Sequence, residues 1–217
     1  ARLADLAAPQ QAAIARAALA PRGPARRRVA QTLAVLAFGA GVAWQLEQRT
    51  PWRTWVADVR TARGERRRLV LEDGTQLVLN GASALDIAYG PQFRRLRLLE
   101  GEVLITTAPD RHQPARGFAV QTAAGEAQAL GTRFAVRALA GGGTWVGVFE
   151  GAVRLTPRDA AGEALVLPAG RQATLRTQGV SAPAAVHEDS TAWIEGMLVA
   201  RGMPLADMLA ALQPYSA

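Results

Sequence analysis

Residues 69–79 read LVLEDGTQLVL, and this stretch decides the class of fold. Two apolar runs flank Glu72-Asp73-Gly74-Thr75, and Asp-Gly between such runs is the strongest short-range signal for a β-hairpin. A two-residue Asp-Gly turn places Glu72 opposite Thr75. This register predicts two apolar faces, one with Leu69, Leu71 and Val78 and the other with Val70, Leu77 and Leu79. Another layer of the structure should therefore cover each face.

The alternation of apolar runs and glycine turns continues along the chain. Glu100-Gly101 separates residues 96–99 from 103–105, and Glu150-Gly151 separates residues 146–149 from 153–155. Both sites share the pattern apolar-Glu-Gly-x-Val, which predicts two further hairpins with a glycine at positive φ in each turn. We expect Gly74, Gly101 and Gly151 to be structural turn residues of this kind.

Further strands are predicted at residues 117–121, 133–137 and 165–167. Short strands at this spacing predict a mainly β fold, either a β-sandwich or a stack of twisted β layers, and not an α/β enzyme. The 217 residues are enough to bury a sizeable core. Because the chain has no cysteine, disulfide bonds and thiolate metal sites are excluded.

The net charge of +7 is unevenly distributed. Residues 1–46 hold six Arg and one Asp, residues 47–68 hold seven Arg and three acids, and the remaining 149 residues hold twelve Arg and fourteen acids. The arginine clusters at residues 26–28 and 66–68 lack the interleaved aromatic residues that single-stranded nucleic acid would stack on. We therefore expect no direct contact with nucleic acid.

Residues 29–46, VAQTLAVLAFGAGVAWQL, contain no charged side chain. As a helix this run is about 27 Å long, close to the roughly 30 Å of a bilayer core. A buried core helix or a signal peptide would also be apolar, but the run begins 28 residues into the chain and ends in Trp44-Gln45-Leu46-Glu47, a poor cleavage site. We predict a single transmembrane helix.

The orientation of this helix follows from its flanks. Arg26, Arg27 and Arg28 directly precede it, whereas the arginines that follow are diluted by Glu47 and Asp58. The positive-inside rule then places the N-terminus in the cytoplasm and residues 47–217 outside the inner membrane.

Residues 204–213 are predicted to form a second helix. Pro204 suits its first position, and an apolar stripe repeats at i, i+3, i+4 and i+7. The stripe consists of Leu205, Met208, Leu209 and Leu212. A helix with one apolar face must either pack on the β domain or belong to a further module, in which case the stripe is a candidate partner contact.

No residue pattern in the sequence indicates catalysis. Asp110 and His112 supply two possible metal ligands where at least a third is needed, and they are interpreted with His187 as residues of solvated loops. Ser83 is not in a nucleophile elbow. The acids Glu100, Glu102 and Glu150 are interpreted as turn-flanking residues on solvent-facing surfaces. The sequence therefore predicts no enzyme, no cofactor and no metal site.

The order of the β motifs over about 110 residues resembles the FecR family of bacterial single-span sigma-factor regulators. The matching stretches are Thr61-x-x-Gly64-Glu65-Arg66, Leu71-Glu72-Asp73-Gly74-Thr75-x-Leu77-x-Leu79-Asn80 with Ser83, Leu98-x-Glu100-Gly101-Glu102-Val103, Phe118-x-Val120-x-Thr122, Ala129-Leu130-Gly131-Thr132-x-Phe134-x-Val136, Val148-x-Glu150-Gly151-x-Val153 and Pro168-Ala169-Gly170. Residues 202–215 resemble the start of the small α/β signalling module that often follows in this family.

The resemblance implies a domain plan. Residues 1–28 would be the remnant of a cytoplasmic anti-sigma region, 29–46 the membrane helix, 47–60 a linker, 61–180 the periplasmic FecR-like β domain and 190–217 the start of the signalling module. Only about 28 residues precede the span, where the family has several helices, and the final module stops after its first helix. We interpret the chain as truncated at both ends.

The resemblance also implies a function and partners. A FecR-like regulator would receive a signal, of the iron or siderophore type, from the signalling domain of an outer-membrane TonB-dependent transducer. Its cytoplasmic end would hold or release an ECF-type sigma factor. The alternative is a membrane-anchored β domain that binds envelope polysaccharide or lipid, which predicts an exposed groove lined with aromatic residues.

The membrane topology can be tested with reporter fusions. We expect fusions before residue 28 to show cytoplasmic activity and fusions after residue 60 to show periplasmic activity, because the arginines flank the N-terminal end of the span. The opposite pattern would contradict the orientation and the sigma-factor hypothesis that depends on it.

Overall fold

The computed structural model describes residues 57–160, 163–200, 202 and 204–215. The strands in this part of the chain are β1 (Val59–Arg60), β2 (Arg67–Val70), β3 (Gln76–Leu79), β4 (Ala84–Tyr89), β5 (Phe93–Glu100), β6 (Glu102–Thr106), β7 (Gly117–Gln121), β8 (Gly125–Ala129), β9 (Arg133–Ala138), β10 (Thr144–Glu150), β11 (Ala152–Pro157), β12 (Leu165–Pro168), β13 (Arg171–Arg176), β14 (Gly179–Val180) and β15 (Ala184–Ala185). A 3₁₀ helix (Glu188–Glu195) and the α-helix α1 (Leu205–Leu212) follow them.

The strands form two sheets. Sheet I has seven strands in the order β1-β4-β5-β7-β8-β11-β12, and sheet II has eight, in the order β14-β13-β10-β9-β6-β3-β2 with β15 paired to β13. Most neighbours are antiparallel, and the pairing of β5 with β7 is parallel. The chain alternates between the sheets, since hairpins β2-β3 and β9-β10 lie in sheet II whereas β4-β5 and β11-β12 lie in sheet I.

The hydrophobic core lies between the two sheets. Leu96 and Phe118 of sheet I and Ile105 and Phe134 of sheet II are fully buried members of one continuous apolar cluster. Burying each such side chain contributes roughly 1.5–3 kcal/mol. The predicted mainly β fold with two packed layers is confirmed.

The register of the first hairpin differs from the prediction by one residue. Leu69 lies opposite Leu77, and Leu71 donates its backbone N–H to Thr75 O at 2.9 Å, so the loop has three residues and not two. In such a loop Gly74 takes the left-handed conformation, with φ of 89°. Because a slip of one residue moves side chains to the other face, Leu69 and Leu71 share the inner face with Leu77 and Leu79. The predicted grouping of faces was wrong.

The two Glu-Gly sites are corners between the sheets and not hairpins. Gly101 joins β5 of sheet I to β6 of sheet II, and Gly151 joins β10 of sheet II to β11 of sheet I. β5 already pairs with β4 and β7, and β10 with β9 and β13, so neither has a free edge for the strand that follows. The predicted second and third hairpins were wrong, although both glycines have positive φ, 81° and 73°.

Close packing explains why glycine occupies both corners. A Cβ on Gly101 would lie 2.5 Å from Ser83 Cα, and a Cβ on Gly151 would overlap Gly131 O and lie 3.0 Å from Thr132 Cγ2. Ser83 and Gly131 themselves lie in segments that cross between the sheets. Each corner therefore brings two crossing segments into contact.

The remaining predicted elements agree with the observed ones where the structure describes them. The strands predicted at 117–121, 133–137 and 165–167 are confirmed as β7, β9 and β12, and the predicted C-terminal helix is confirmed as α1. The proposed membrane helix at 29–46 and its flank Arg26, Arg27 and Arg28 lie outside the described residues. In the described ranges, no helix has the length and apolar character needed to cross a membrane.

The corners can be tested by comparing glycine substitutions in urea unfolding. Gly170 has φ of 77°, and no atom lies within 4 Å of the position that a Cβ would take there, so Gly170→Ala should cost only about 1 kcal/mol of backbone strain. Gly101→Ala and Gly151→Ala add a steric clash to that strain and should cost roughly 1–3 kcal/mol more. Equal losses for all three substitutions would contradict the close packing at the corners.

Candidate functional site

A second hydrophobic cluster lies on the outer face of sheet II, beneath residues 186–215, which we call the C-terminal segment. Its buried members are Leu104, Ala135, Trp145 and Trp193, and the half-buried residues around them are Val78, Leu139, Phe149, Val186, Ile194 and Tyr215. The outer face of sheet II carries apolar side chains at this point, and the C-terminal segment shields them from water. The cluster therefore joins the β domain to the residues that follow it.

Trp193, which is only 5% exposed, anchors this docking from the 3₁₀ helix. The helix is held by side chains that bond to its own backbone, with Thr191 Oγ1 donating to Glu188 O at 2.9 Å. It ends at Gly196, whose φ of 86° turns the chain. The indole is thereby presented to the sheet from a short, locally stabilised element.

Arg66 binds the end of this helix. Its Nη1 donates to Trp193 O at 3.1 Å and to Ile194 O at 3.0 Å, two carbonyls near the C-terminal end of the element. Cationic side chains are favourable at such an end because the free carbonyls carry partial negative charge. A Cβ at Gly196 would lie 3.2 Å from both terminal nitrogens of Arg66, so the glycine leaves space for the guanidinium.

The last described residues are fixed to the loop that opens the β domain. Gly64 N–H donates to Pro214 O at 2.8 Å, and Tyr215 OH donates to Asn80 Oδ1 at 2.7 Å. A Cβ on Gly81 would lie 2.6 Å from Pro214 O and 2.9 Å from Gly64 N. The backbones of three separate segments therefore meet at this point.

The same residues belong to the corner network of the β domain. Asn80 Nδ2 donates to Glu102 Oε2 at 3.1 Å, and Glu102 N–H donates to Ser83 Oγ at 3.0 Å. Thr61 Oγ1 donates to Asn80 O at 2.6 Å and accepts from Ser83 N–H at 2.9 Å. Glu102 was predicted to lie on a solvent-facing surface, but it is 4% exposed, so that interpretation was wrong.

Burial controls the ionisation of Glu102. It raises the pKa of the carboxyl group, and the nearby charge of Arg137 and the polar groups of Asn80 and Trp193 offset only part of the rise. Burial also raises the pKa of Tyr215, whose hydroxyl keeps its proton for Asn80. The corner below the C-terminal segment thus favours uncharged groups.

A buried ion pair fixes a different part of the β domain. Arg94 Nη1 lies 2.8 Å from Asp73 Oδ2 and also donates to Ala108 O, while Nη2 donates to Arg116 O. Burial alone would raise the pKa of Asp73, but the hydrogen bonds from Thr75 and the ion pair with Arg94 outweigh it, so the pKa lies below its ordinary value. The pair holds the connection between β6 and β7 against the first hairpin, a structural task.

The predicted site residues are distributed as follows. On α1, Leu205, Leu209 and Leu212 are 70%, 58% and 37% exposed and Met208 is half-buried, so the apolar stripe is largely uncovered in the described residues. Gly74 occupies the loop of the first hairpin. His112 and His187 are exposed, and within the described ranges no three His, Asp or Glu side chains are grouped as a metal site would require.

Sequence reasoning missed the docking of the C-terminal segment. Arg66, Asn80 and Glu102 lie in stretches that were singled out as family motifs, but nothing in their spacing names Trp193 or Tyr215 as their partners. The signal in the sequence was the isolated Trp193 in a polar stretch after the last strand. An aromatic residue in that setting indicates an anchor on a neighbouring surface.

Comparison with known proteins identifies the β domain. Residues 57–154 match the family model described as FecR protein. The chain carries a FecR domain. The match runs from β1 into β11 and includes the two Glu-Gly corners, together with Arg66, Asn80 and Glu102.

Solved structures share the fold of this FecR domain and of residues around it. Two crystal structures of a candidate anti-sigma factor from Parabacteroides distasonis superpose with a TM-score of 0.62 and 21% sequence identity, covering 72% of this chain and 73% of that chain. At this identity the likeness establishes a common fold. No curated protein sequence matches the chain significantly.

The buried carboxyl of Glu102 makes the stability of the FecR domain depend on pH in a specific direction. Because the folded-state pKa is raised, the contribution of Glu102 is fully present below its unfolded pKa of about 4.5 and is lost as the pH rises through the folded pKa. Glu102→Gln stays neutral. We therefore expect its Tm relative to wild type to increase from pH 4 to pH 8, because only the wild-type protein loses stability as its buried carboxyl ionises.

Acid loss of the Asp73 ion pair affects both proteins equally and cancels in this difference. A difference in Tm between Glu102→Gln and wild type that does not change with pH would contradict the raised pKa.

Proposed function

We propose that this chain is part of a sigma-factor regulator that relays a signal across the bacterial inner membrane. The FecR domain is the observation that carries the proposal, because residues 57–154 match the FecR family, whose members are single-span sigma-factor regulators. The fold shared with a candidate anti-sigma factor supports it. In this proposal the chain is a regulator and not an enzyme, and the ionisable groups that the fold buries hold corners and loops in place.

The proposed topology assigns the two ends of the chain to two compartments. Residues 29–46 would cross the inner membrane, with Arg26, Arg27 and Arg28 on the cytoplasmic side and the FecR domain in the periplasm. The uncharged run and its basic flank support this arrangement. An ECF-type sigma factor would bind on the cytoplasmic side, so the chain itself would have no contact with nucleic acid.

The proposed input is the signalling domain of an outer-membrane TonB-dependent transducer, in a system of the iron or siderophore type. The exposed stripe of α1 is the candidate contact, since Leu205 and Leu209 lie mostly in water although burying each would contribute roughly 1.5–3 kcal/mol. Exposed apolar stripes of this kind mark surfaces that another protein or module covers.

The alternative of a polysaccharide- or lipid-binding domain receives less support. An aromatic-lined groove would need several exposed rings, and among the described residues Phe93, at 39%, is the one exposed aromatic side chain. The other described aromatic residues are buried or half-buried: Tyr89, Phe118, Phe134, Trp145, Phe149, Trp193 and Tyr215.

Purification of the tagged full chain from solubilised envelopes tests the proposal. We expect an ECF-type sigma factor and a TonB-dependent transducer to co-purify, and we expect recovery of the transducer to depend on the inducing signal. Recovery of glycan or lipid without a sigma factor would contradict the proposal and favour the alternative.

The role of the α1 stripe can be tested by a double substitution, Leu205→Ser with Leu209→Ser. Because both side chains are exposed, the free energy of unfolding of the FecR domain should change by about 0.5 kcal/mol or less, and its Tm should change little. We expect output from a sigma-dependent reporter to lose its response to the signal.

Val166→Ser is the matched control, since Val166 is 49% exposed on β12 of sheet I, away from α1 in the chain. A normal response in the double variant would remove α1 from the proposed partner site. A large drop in Tm would show instead that α1 stabilises the FecR domain.

A further inference from the structure

The C-terminal segment contacts the FecR domain at two separated anchors. The first is Trp193, buried against Leu104, Ala135 and Trp145 on the outer face of sheet II. The second is the pair Pro214 and Tyr215, at the far end of α1. Between them the chain is less enclosed, since Met197 and Leu198 are 52% and 37% exposed.

Both anchors converge on residues 61–66, which we call the entry loop and which connect β1 to β2 near the start of the FecR domain. Arg66 at the end of this loop binds the carbonyls of Trp193 and Ile194, and Gly64 in its centre binds the carbonyl of Pro214. The loop itself is tied to the corner through Thr61. The entry loop is thus the part of the FecR domain that contacts both ends of the C-terminal segment.

The contact surface is shaped for this docking. Any Cβ at Gly81 would be too close to Pro214 O, and Gly196 leaves space for the Arg66 guanidinium. On the sheet, a Cβ at Gly147 would lie 2.6 Å from the Trp145 ring and 3.0 Å from Val186. These glycines allow a close approach of backbone and rings that other residues would prevent.

We propose that the C-terminal segment is a releasable latch on the entry loop, and that this latch transmits the state of α1 to the N-terminal end of the FecR domain. This inference rests on the proposed function, because it describes how a partner bound at α1 would act on residues that lead toward the membrane. The partner must bind the released and the latched states with different affinities.

The latch is a better two-state element than the sheets. The core between the sheets is continuous and closely packed, so its strands open together with a free energy near that of global unfolding. The latch is held by the buried Trp193, by a few half-buried apolar side chains around it, by a few hydrogen bonds, by the exposed Arg66 and by one exposed ion pair, Arg133–Glu188. Segments with few buried contacts open locally at much lower free energy.

Amide hydrogen exchange in the full chain tests whether the latch is one unit. Tyr215→Phe removes the bond to Asn80 without changing the size of the ring. Release should then accelerate exchange by roughly tenfold at Gly64 N–H, in the entry loop, and at Gly196 N–H, beside the other anchor. Amides of β10 should exchange as in wild type.

Two further variants keep the test decisive. Arg66→Ala removes the link between the entry loop and Trp193 and should also accelerate exchange at Gly64 and Gly196. Arg67→Ala is the matched control, because Arg67 is the next residue, is exposed, and has no side-chain partner shown in the described residues. Faster exchange confined to residues 204–215, with Gly64 unchanged, would overturn the latch.

The same variants in cells separate the latch from the proposed function. If wild type and Arg67→Ala give a signal-dependent sigma reporter response, Tyr215→Phe and Arg66→Ala should give output that no longer depends on the signal. A normal response in both latch variants would overturn the relay role of the latch and leave the proposed function intact. If wild type itself does not regulate any sigma-dependent promoter, the proposed function is wrong, whereas the exchange data still decide whether the segment is one docked unit.

Discussion

The close approach of Gly101 to Ser83 allows the chain to cross from one sheet to the other. A Cβ at this glycine would lie 2.5 Å from Ser83 Cα, so no other residue allows β5 of sheet I to continue directly into β6 of sheet II. At the second corner, Gly151 likewise leaves space for the backbone of Gly131. With both corners in place, the hydrophobic strands alternate between two layers and enclose one core.

The first corner also determines where the C-terminal segment docks. Ser83 Oγ and Asn80 Nδ2 form hydrogen bonds with Glu102, and Asn80 Oδ1 in turn accepts a hydrogen bond from the hydroxyl of Tyr215. Glu102 lies next to Gly101 in the chain. The hydrogen bonds that hold the buried Glu102 therefore also hold the corner at Gly101. One oxygen of this buried carboxyl accepts a hydrogen bond from Asn80 Nδ2, and burial raises its pKa, so the network places a readily protonated acid beside the corner.

The boundary of the FecR match gives this docking a clear division of roles. Residues 57–154 include the receiving surface, with Gly64, Arg66 and Asn80, whereas Trp193 and Tyr215 lie beyond the match. The FecR domain therefore supplies a shaped surface, and the residues after it supply the side chains that fill it. The apolar stripe of α1 stays exposed between these anchors, held in a defined position relative to the domain.

Local patterns in the sequence determined the class of fold and the C-terminal helix, because alternation, helical spacing and glycine turns depend on near neighbours in the chain. The same patterns located the strands at residues 117–121, 133–137 and 165–167 and the positive φ of Gly74, Gly101 and Gly151. The same patterns could not distinguish a hairpin from a corner at Gly101 and Gly151, since a glycine with positive φ serves both and only the occupied edges of β5 and β10 exclude a hairpin. The register at Gly74 was likewise decided by the three-residue loop that places Leu71 in the core with Leu77. The docking of Trp193 on Leu104 and of Tyr215 on Asn80 was decided by tertiary structure alone, because these partners are about 90 and 135 residues apart and no local pattern relates residues at such a distance.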